Sequence, residues 1–212
     1  MKDVKEIKEF ICEVGRRMYQ RGYVAANDGN ISVKISEEEI IITPTGVSKG
    51  FMTPEMLIKI DPEGNVLEGN LKPSSETKMH LRVYQERSDI EAVVHAHPPY
   101  GTSFAIAGQP LDKKIMPEAI LLLGSVPVAR YGTPSTHELP DAISDYINEY
   151  NAVLLENHGV LTWGKDLKEA YFRMESVEFY AQVMMITREL EGVRELSPEN
   201  IEKLLRLKEK MG

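Results

Sequence analysis

Cysteine, tryptophan and long apolar runs are scarce in this sequence. Of its 212 residues one is cysteine, Cys12, and one is tryptophan. A single cysteine excludes an internal disulfide and agrees with a reducing compartment, and the apolar neighbours of Cys12 in a predicted helix indicate an inert, half-buried thiol. No apolar run approaches the roughly 20 residues that a membrane helix needs, and the charged start of the chain is unlike a secretory signal. We therefore expect a cytoplasmic protein that has no membrane partner.

Basic residues are also in deficit, since 25 Lys and Arg stand against 33 Asp and Glu, giving a formal net charge of −8. Nucleic-acid binders usually present a basic face, so we expect no nucleic-acid partner. A small anionic ligand is compatible with this charge, because local donors hold such ligands. No repeat or linker divides the chain, and its composition is that of a globular protein. We predict one domain over residues 1–212.

Helical and strand patterns are mixed along the chain. Apolar residues recur at helical spacing from Val4 to Met18, and Gly22 is a plausible cap after them. Further helices are predicted from about 74 to 87, 100 to 107, 139 to 150, 166 to 190 and from 197 onward, and strands at 31–35, 40–42, 57–60, 91–97, 126–129, 152–155 and 160–163. Strict βαβ alternation is missing. This order favours an α/β fold of three layers, α/β/α, around a central, mainly antiparallel sheet.

The stretch at 91–97 carries the clearest chemical signal. Side chains alternate across a strand, so His95 and His97 project from the same face. Two imidazoles side by side suit a divalent transition metal, with zinc as the first expectation, and such an ion normally needs a third protein ligand. The alternative is that the pair is a hydrogen-bonded structural feature.

His158 is the expected third ligand, because it lies at the end of the predicted core strand 152–155 beside a glycine and an asparagine. His80, on a predicted helix, and His137, in a polar loop, are weaker candidates that we expect to be hydrogen-bonded or solvated. Three imidazoles leave a coordination position open, as in catalytic zinc sites. An open zinc ion could activate water or polarise a carbonyl and its neighbouring hydroxyl.

A second cluster is rich in hydrogen-bond donors and is expected near the first. If the strands 31–35 and 40–42 pair as a hairpin, the loops at their ends meet. Glycines allow close backbone approach, hydroxyls donate, and the start of the helix after Pro73 contributes free amides to an anion. The candidate phosphate-binding residues are Gly29, Asn30, Thr45, Gly46, Ser74 and Ser75. Glu76, between this cluster and the metal, would be a base.

Five motifs in order carry a family resemblance that spans nearly the whole chain. They are Gly29-Asn30-Ile31-Ser32, Thr43-Pro44-Thr45-Gly46, Ser74-Ser75-Glu76, His95-Ala96-His97 and Asn157-His158-Gly159. Together they resemble the class II aldolase/adducin family and, within it, the L-fuculose-1-phosphate aldolases. Glu76 favours this branch, because the related ribulose 5-phosphate epimerases resemble this chain but carry aspartate there.

The resemblance implies a Zn²⁺-dependent aldolase with one zinc ion per subunit. Its metal ligands would be His95, His97, His158 and, in the resting site, Glu76, which would also be the catalytic acid and base. Such an enzyme cleaves a ketose 1-phosphate to dihydroxyacetone phosphate and an aldehyde. The resemblance also implies a homotetramer with active sites at subunit interfaces.

One departure from the family concerns the aldehyde side of the site. The fuculose aldolases carry a proton-donating tyrosine where this chain has Met116, and their second donor tyrosine near the C-terminus is missing too. Glu118, in the same segment, is a candidate for that acid role or a surface residue. Two other interpretations stay open. One is a sugar-phosphate epimerase or decarboxylase with related chemistry. The other is a non-enzymatic scaffold of the adducin kind, and the presence of all three histidines and Glu76 argues against it.

Overall fold

An eight-stranded sheet runs through the computed structural model, which describes residues 3–190 and 192–211. Its strands are β1 (Asn30–Lys34), β2 (Ile40–Ile42), β3 (Ile58–Ile60), β4 (Val66–Glu68), β5 (Ala92–Ala96), β6 (Val128–Ala129), β7 (Ala152–Leu155) and β8 (Gly159–Gly164). Their order is β4-β3-β2-β1-β5-β8-β7-β6, and every neighbouring pair is antiparallel except β6 with β7. The predicted α/β fold around a mainly antiparallel sheet is confirmed.

The helices cover both faces of this sheet. They are α1 (Val4–Gln20), α2 (Thr77–Glu86), α3 (Pro99–Ile106), α4 (Pro117–Leu122), α5 (Glu138–Ile147), α6 (Leu167–Glu189) and α7 (Pro198–Met211). Asp3 and Asp166 cap α1 and α6 by accepting backbone N–H groups of the first turn. Between β2 and β3 the chain forms a 3₁₀ turn at Pro54–Met56. Among the described residues, no helix is both long enough and apolar enough to span a membrane.

Two hydrophobic cores form the interfaces between the layers. One packs α1, α3, α4 and α6 on one sheet face, and the other packs α2 and α5 on the opposite face. Strand β1 divides its side chains between them, since Ile31 and Val33 belong to the first core while Asn30 and Ser32 point the other way. Cys12 lies in the first core, where burial raises its pKa to about 11, so the thiol expected to be half-buried is fully buried.

Strand pairing brings distant loops to one end of the sheet. Strands β1 and β2 pair as a hairpin with Ser32 opposite Ile42, which is the condition for the loops at their ends to meet. On the other side of β1, Asn30 pairs with His95 of β5, and His95 in turn pairs with Leu161 of β8. The start of β1, the end of β5 and the β7–β8 turn are therefore adjacent.

Candidate active site

Three imidazoles meet where β5 and the β7–β8 turn come together. His95 lies within β5, His97 follows its end, and His158 precedes β8. The Nε2 atoms of His95 and His97 are 3.1 Å apart, and one ring nitrogen from each of the three residues lies within 4.8 Å of the others. The structure thus brings the expected pair and the third histidine into one cluster.

Hydrogen bonds away from the cluster fix the orientation of two of these rings. His95 Nδ1 donates to the carbonyl of Val160 at 2.9 Å, and His97 Nδ1 lies 3.4 Å from a carboxylate oxygen of Asp28. A neutral imidazole that donates from Nδ1 presents the lone pair of Nε2 on its other side. Burial holds the pKa of His95 well below its usual range and lowers that of His158 to about 4. At neutral pH both rings are in the uncharged form that binds metals.

Glu76 completes the cluster from the start of α2. Its Oε1 lies 3.2 Å from His158 Nε2, and its Oε2 lies 3.3 Å from His95 Nε2 and accepts a hydrogen bond from Asn30 Nδ2 at 2.8 Å. Burial raises the pKa of this carboxyl group. Oε1 is buried and has no hydrogen-bond partner among the described residues.

These spacings fit a divalent metal ion. Ligands of one tetrahedral zinc ion, each about 2.0–2.2 Å from the metal, lie about 3.3 Å from one another. The separations of His95 from His97 and of Glu76 from His95 and His158, 3.1–3.3 Å, are close to that value, and one nitrogen from each of the three imidazoles lies within 4.8 Å of the others. The orphaned Oε1 gains a partner if a cation is bound. Three imidazoles and a carboxylate are a ligand set that suits zinc.

A cavity of about 190 Å³ opens beside this cluster. We call it the donor pocket; its lining includes five of the six predicted phosphate-binding residues, Gly29, Asn30, Thr45, Ser74 and Ser75, together with Glu76, His97 and His158. The sixth, Gly46, does not line it, although it follows Thr45 directly. Sequence reasoning missed Asn27 and Pro134, which also contribute to the wall.

The backbone around the donor pocket is more fully bonded than the sequence suggested. The amides of Glu76 and Thr77, expected to be free for an anion, donate to Ser74 Oγ at 3.3 Å and to the Ser74 carbonyl at 3.1 Å. Gly29 has φ +73°, and a Cβ there would lie 2.9 Å from the carbonyl oxygen of His95. Only glycine allows the loop to pass so close to β5.

Lys49 is a residue that sequence reasoning missed. Its side chain is buried, and its ammonium group donates to the carbonyl oxygens of Asn27 at 3.0 Å and Val47 at 2.6 Å. These carbonyls belong to the two loops that precede β1 and follow β2, so Lys49 joins both sides of the donor pocket. Burial lowers the pKa of this lysine to about 8. A lysine in a polar loop gave no signal of such burial.

The weaker candidates lie elsewhere. His137 is exposed and its Nε2 is 3.0 Å from Lys78 Nζ, while His80 is fully buried and hydrogen-bonded beneath the site. Glu118 and Met116 line a different cavity, of about 630 Å³, between α4 and α6. Within one chain, Glu118 is not part of the wall of the donor pocket.

Comparison with known proteins decides the family. A profile described as the class II aldolase and adducin N-terminal domain matches residues 9–185. The chain belongs to the class II aldolase and adducin family. The match covers every element from within α1 to within α6, and so includes all five motifs.

Several members of the family are similar over nearly their whole length. An L-fuculose phosphate aldolase of Methanococcus maripaludis is 39% identical over 188 residues, covering 87% of this chain and 99% of its own. A 3-oxo-tetronate 4-phosphate decarboxylase of Haemophilus influenzae is 32% identical over 202 residues, covering 93% of this chain and 95% of its own. A solved structure of an L-fuculose 1-phosphate aldolase superposes with a TM-score of 0.89 at 31% identity, covering 100% of this chain and 98% of its own. These class II aldolase relatives imply that the chain is an enzyme of the aldolase or lyase kind.

Proposed function

We propose that this class II aldolase family member is a zinc-dependent aldolase that cleaves a ketose 1-phosphate, such as L-fuculose 1-phosphate, to dihydroxyacetone phosphate and an aldehyde. One observation carries the proposal: the Glu76 carboxylate lies 3.2–3.3 Å from two of the three clustered imidazoles and also lines the donor pocket. A proton-transferring group is thus shared by a candidate metal centre and a candidate anion site. The aldolase names of the relatives support it.

His95, His97, His158 and, in the resting site, Glu76 would hold one Zn²⁺ ion per subunit. When bound, the ion would polarise the carbonyl and hydroxyl oxygens of the sugar, which favours charge on them as the carbon–carbon bond breaks. The Val160 carbonyl and Asp28 keep two of the imidazoles oriented toward it.

Gly29, Asn30, Thr45, Gly46, Ser74 and Ser75 would bind the phosphate. Hydroxyl groups of Thr45 and the two serines can donate to its oxygens, and glycines let the backbone approach. A phosphate anchored in the donor pocket fixes the sugar relative to Glu76, which lowers the entropic cost of reaching the reactive geometry.

Glu76 would transfer the proton to and from C3 of the sugar, the carbon that keeps the electron pair when the bond breaks. In cleavage the bond between C3 and C4 breaks, the pair remains on C3, the hydroxyl on C4 loses its proton and becomes the aldehyde, and protonated Glu76 delivers a proton to C3. In synthesis Glu76 takes that proton back. Burial raises the pKa of Glu76, as suits a group that must hold a proton in one step and release it in the other.

The acid and base at the C4 oxygen would be Glu118 of a neighbouring subunit. Within one chain it lines the cavity between α4 and α6, so it reaches a donor pocket only across an interface.

We propose a homotetramer with active sites at such interfaces. Three exposed apolar residues of α6 at intervals of seven, Phe172, Phe179 and Ile186, support burial against another subunit, which light scattering can test. The buried free thiol of Cys12 supports a cytoplasmic location.

The deciding experiment incubates zinc-loaded protein with dihydroxyacetone phosphate and a panel of aldehydes. We expect a ketose phosphate to accumulate, and Glu76→Gln to lower the rate by roughly 10²- to 10⁴-fold, the usual contribution of general acid–base catalysis. Glu86→Gln, at the other end of α2, is the matched control. No product with any aldehyde, together with turnover of ribulose 5-phosphate, would favour an epimerase.

A second candidate function is decarboxylation of a phosphorylated 3-oxo acid. The Haemophilus relative of that name aligns with 93% of this chain, and Met116 replaces the tyrosine that the resemblance leads us to expect. Loss of CO₂ also leaves an electron pair on a carbon beside a carbonyl, which Glu76 could protonate. Release of CO₂ from such an acid, with no aldol product, would favour this function.

A further inference from the structure

A line of buried hydrogen bonds runs from the core to the Glu76 carboxylate. The Tyr84 hydroxyl lies 2.7 Å from Ser32 Oγ, which lies 2.7 Å from His80 Nδ1. On the other side of the ring, His80 Nε2 lies 2.5 Å from Asn30 Oδ1, and Asn30 Nδ2 donates to Glu76 Oε2 at 2.8 Å. Ser32, Asn30 and His80 are each at most 3% exposed. Solvent therefore does not compete for the bonds that join these three residues.

The periodicities of a strand and a helix produce this line. Asn30 and Ser32 are two residues apart on β1 and so share a face. Glu76, directly before α2, and His80 and Tyr84 within it follow one another at intervals of four and so share the side that faces this strand. The two series interleave across the interface between sheet and helix, which places His80 between Asn30 and Ser32.

Each bond in the line has one direction. A carboxylate only accepts, so the Asn30 amide turns its Nδ2 toward Glu76 and its Oδ1 toward His80. Burial lowers the pKa of His80 to about 3, so the ring is neutral and carries one N–H, at Nε2. Nδ1 then accepts from the Ser32 hydroxyl, whose oxygen accepts from Tyr84.

We propose that His80 is a positioning residue: its Nε2–H holds the Asn30 amide in the one orientation that donates to Glu76, and so aims the carboxylate between the histidine cluster and the donor pocket. The inference rests on the proposed function in that Glu76 is taken as the group that moves the proton. His80 itself touches neither cluster nor pocket. With the amide reversed, Asn30 Oδ1 would oppose a carboxylate oxygen and Nδ2 would oppose an N–H, so His80 and Glu76 stabilise the same orientation.

Two amide substitutions at His80 separate positioning from core packing. A glutamine Nε2 can occupy the place of the imidazole Nε2 and donate to Asn30, whereas an asparagine Nδ2 falls near the imidazole Nδ1 and cannot. We expect His80→Asn to lower kcat for ketose phosphate cleavage 10- to 100-fold with KM changed less than threefold, and His80→Gln to recover kcat to within fivefold of wild type. Tyr84→Phe, which removes the hydroxyl at the far end of the line, should lower kcat less than fivefold.

Equal kcat losses in His80→Gln and His80→Asn, or a loss in Tyr84→Phe as large as that in His80→Asn, would overturn the inference while leaving the aldolase proposal intact. If wild type cleaves no ketose phosphate, the proposed function fails, and a measurement without turnover still tests the line of bonds. Nitrogen NMR of ¹⁵N-labelled protein should show His80 protonated at Nε2 alone from pH 5 to 8. The side-chain amide signals of Asn30 should shift in His80→Asn and stay in place in Tyr84→Phe. A proton on Nδ1 of His80, or unshifted Asn30 signals, would refute the line of bonds directly.

Discussion

The Nε2 atoms of His95 and His97 face one another at 3.1 Å, although neither ring is in its charged form at neutral pH. Burial lowers the pKa of both imidazoles. Two lone pairs at this distance repel unless a cation or a proton lies between them. The pair is therefore a strong reason to expect that a metal ion stabilises the folded protein.

Removal of one imidazole should release the metal. We expect His158→Ala to weaken zinc binding by 100-fold or more, because Glu76 and the remaining pair would form an incomplete set. Competition with a chromophoric chelator measures the affinity, and zinc should raise the melting temperature of wild type but not of the variant. His137→Ala, at the exposed histidine, is the control. Unchanged zinc affinity in His158→Ala would exclude the proposed ligand set.

Gly159 should tolerate no side chain. A Cβ at this position would lie 2.6 Å from the carbonyl oxygen of Ala96 and 2.6 Å from His97 Cδ2. We expect Gly159→Ala to lower the free energy of unfolding by about 1–3 kcal/mol, as overpacking does, and to weaken zinc binding because His97 must move. Gly124→Ala is the control, since a Cβ there meets nothing within 4 Å. Gly124→Ala should strain its turn, where φ is +75°, and leave the zinc affinity unchanged. An unchanged zinc affinity in Gly159→Ala as well would show that the close contact with His97 does not affect metal binding.

Lys49 should strengthen the binding of a phosphorylated substrate. None of the described residues that line the donor pocket is lysine or arginine, so the buried ammonium that joins its two loops is a nearby positive charge. We expect Lys49→Met to raise KM roughly 5- to 20-fold, about 1–2 kcal/mol, as for loss of a charged hydrogen-bond donor. Lys59→Met, at the far part of the sheet, should leave KM unchanged.

The same lysine gives this KM a pH dependence of known sign. Its pKa is lowered to about 8, so the positive charge is present below pH 8 and lost above it. In wild type, KM should therefore rise as the pH increases through 8, and in Lys49→Met the rise should be absent. An equal rise in both proteins would assign the effect to another group.

His80 should make the protein sensitive to acid. Its pKa is about 3 in the folded chain against 6.5 ordinarily, so between these values the unfolded chain binds a proton that the folded chain does not. Its contribution therefore lowers the free energy of unfolding as the pH falls from about 6.5 toward 3. In His80→Gln the fall should be shallower by about 1.4 kcal/mol per pH unit, equivalent to one proton. Urea unfolding at several pH values measures this slope, and His137→Gln should keep the wild-type slope.

Glu118 should affect turnover only through another subunit. We expect Glu118→Gln to slow cleavage at least tenfold without changing zinc affinity, because its proposed role is proton transfer at the aldehyde oxygen. Assemblies in which Glu76→Gln and Glu118→Gln subunits are mixed should regain part of the activity, since each can supply the group the other lacks. An unchanged cleavage rate in Glu118→Gln would discard this role.

Local patterns in the sequence sufficed for several features. Alternation along 91–97 placed His95 and His97 on one face, and the mixed order of elements predicted the α/β layers. The short connection between 31–35 and 40–42 allowed a hairpin of β1 with β2, and the structure forms it. These are properties of neighbouring residues, because strand and helix periods fix the direction of side chains within one element. In a hairpin the start of β1 lies beside the end of β2, so the loops at these two ends could also be placed together.

Only the tertiary structure decided which of these elements touch. That β5 lies between β1 and β8 depends on packing of the whole sheet. This order brings His158 to the histidine pair, and the packing of α2 against the sheet brings Glu76 there. Lys49 and His80 looked like ordinary polar residues, yet both are buried, because a backbone carbonyl 22 residues away accepts from Lys49 and an amide 50 residues away accepts from His80. Partners so distant leave no periodic trace in the sequence, and they become adjacent only when the hydrophobic faces of sheet and helices close on one another.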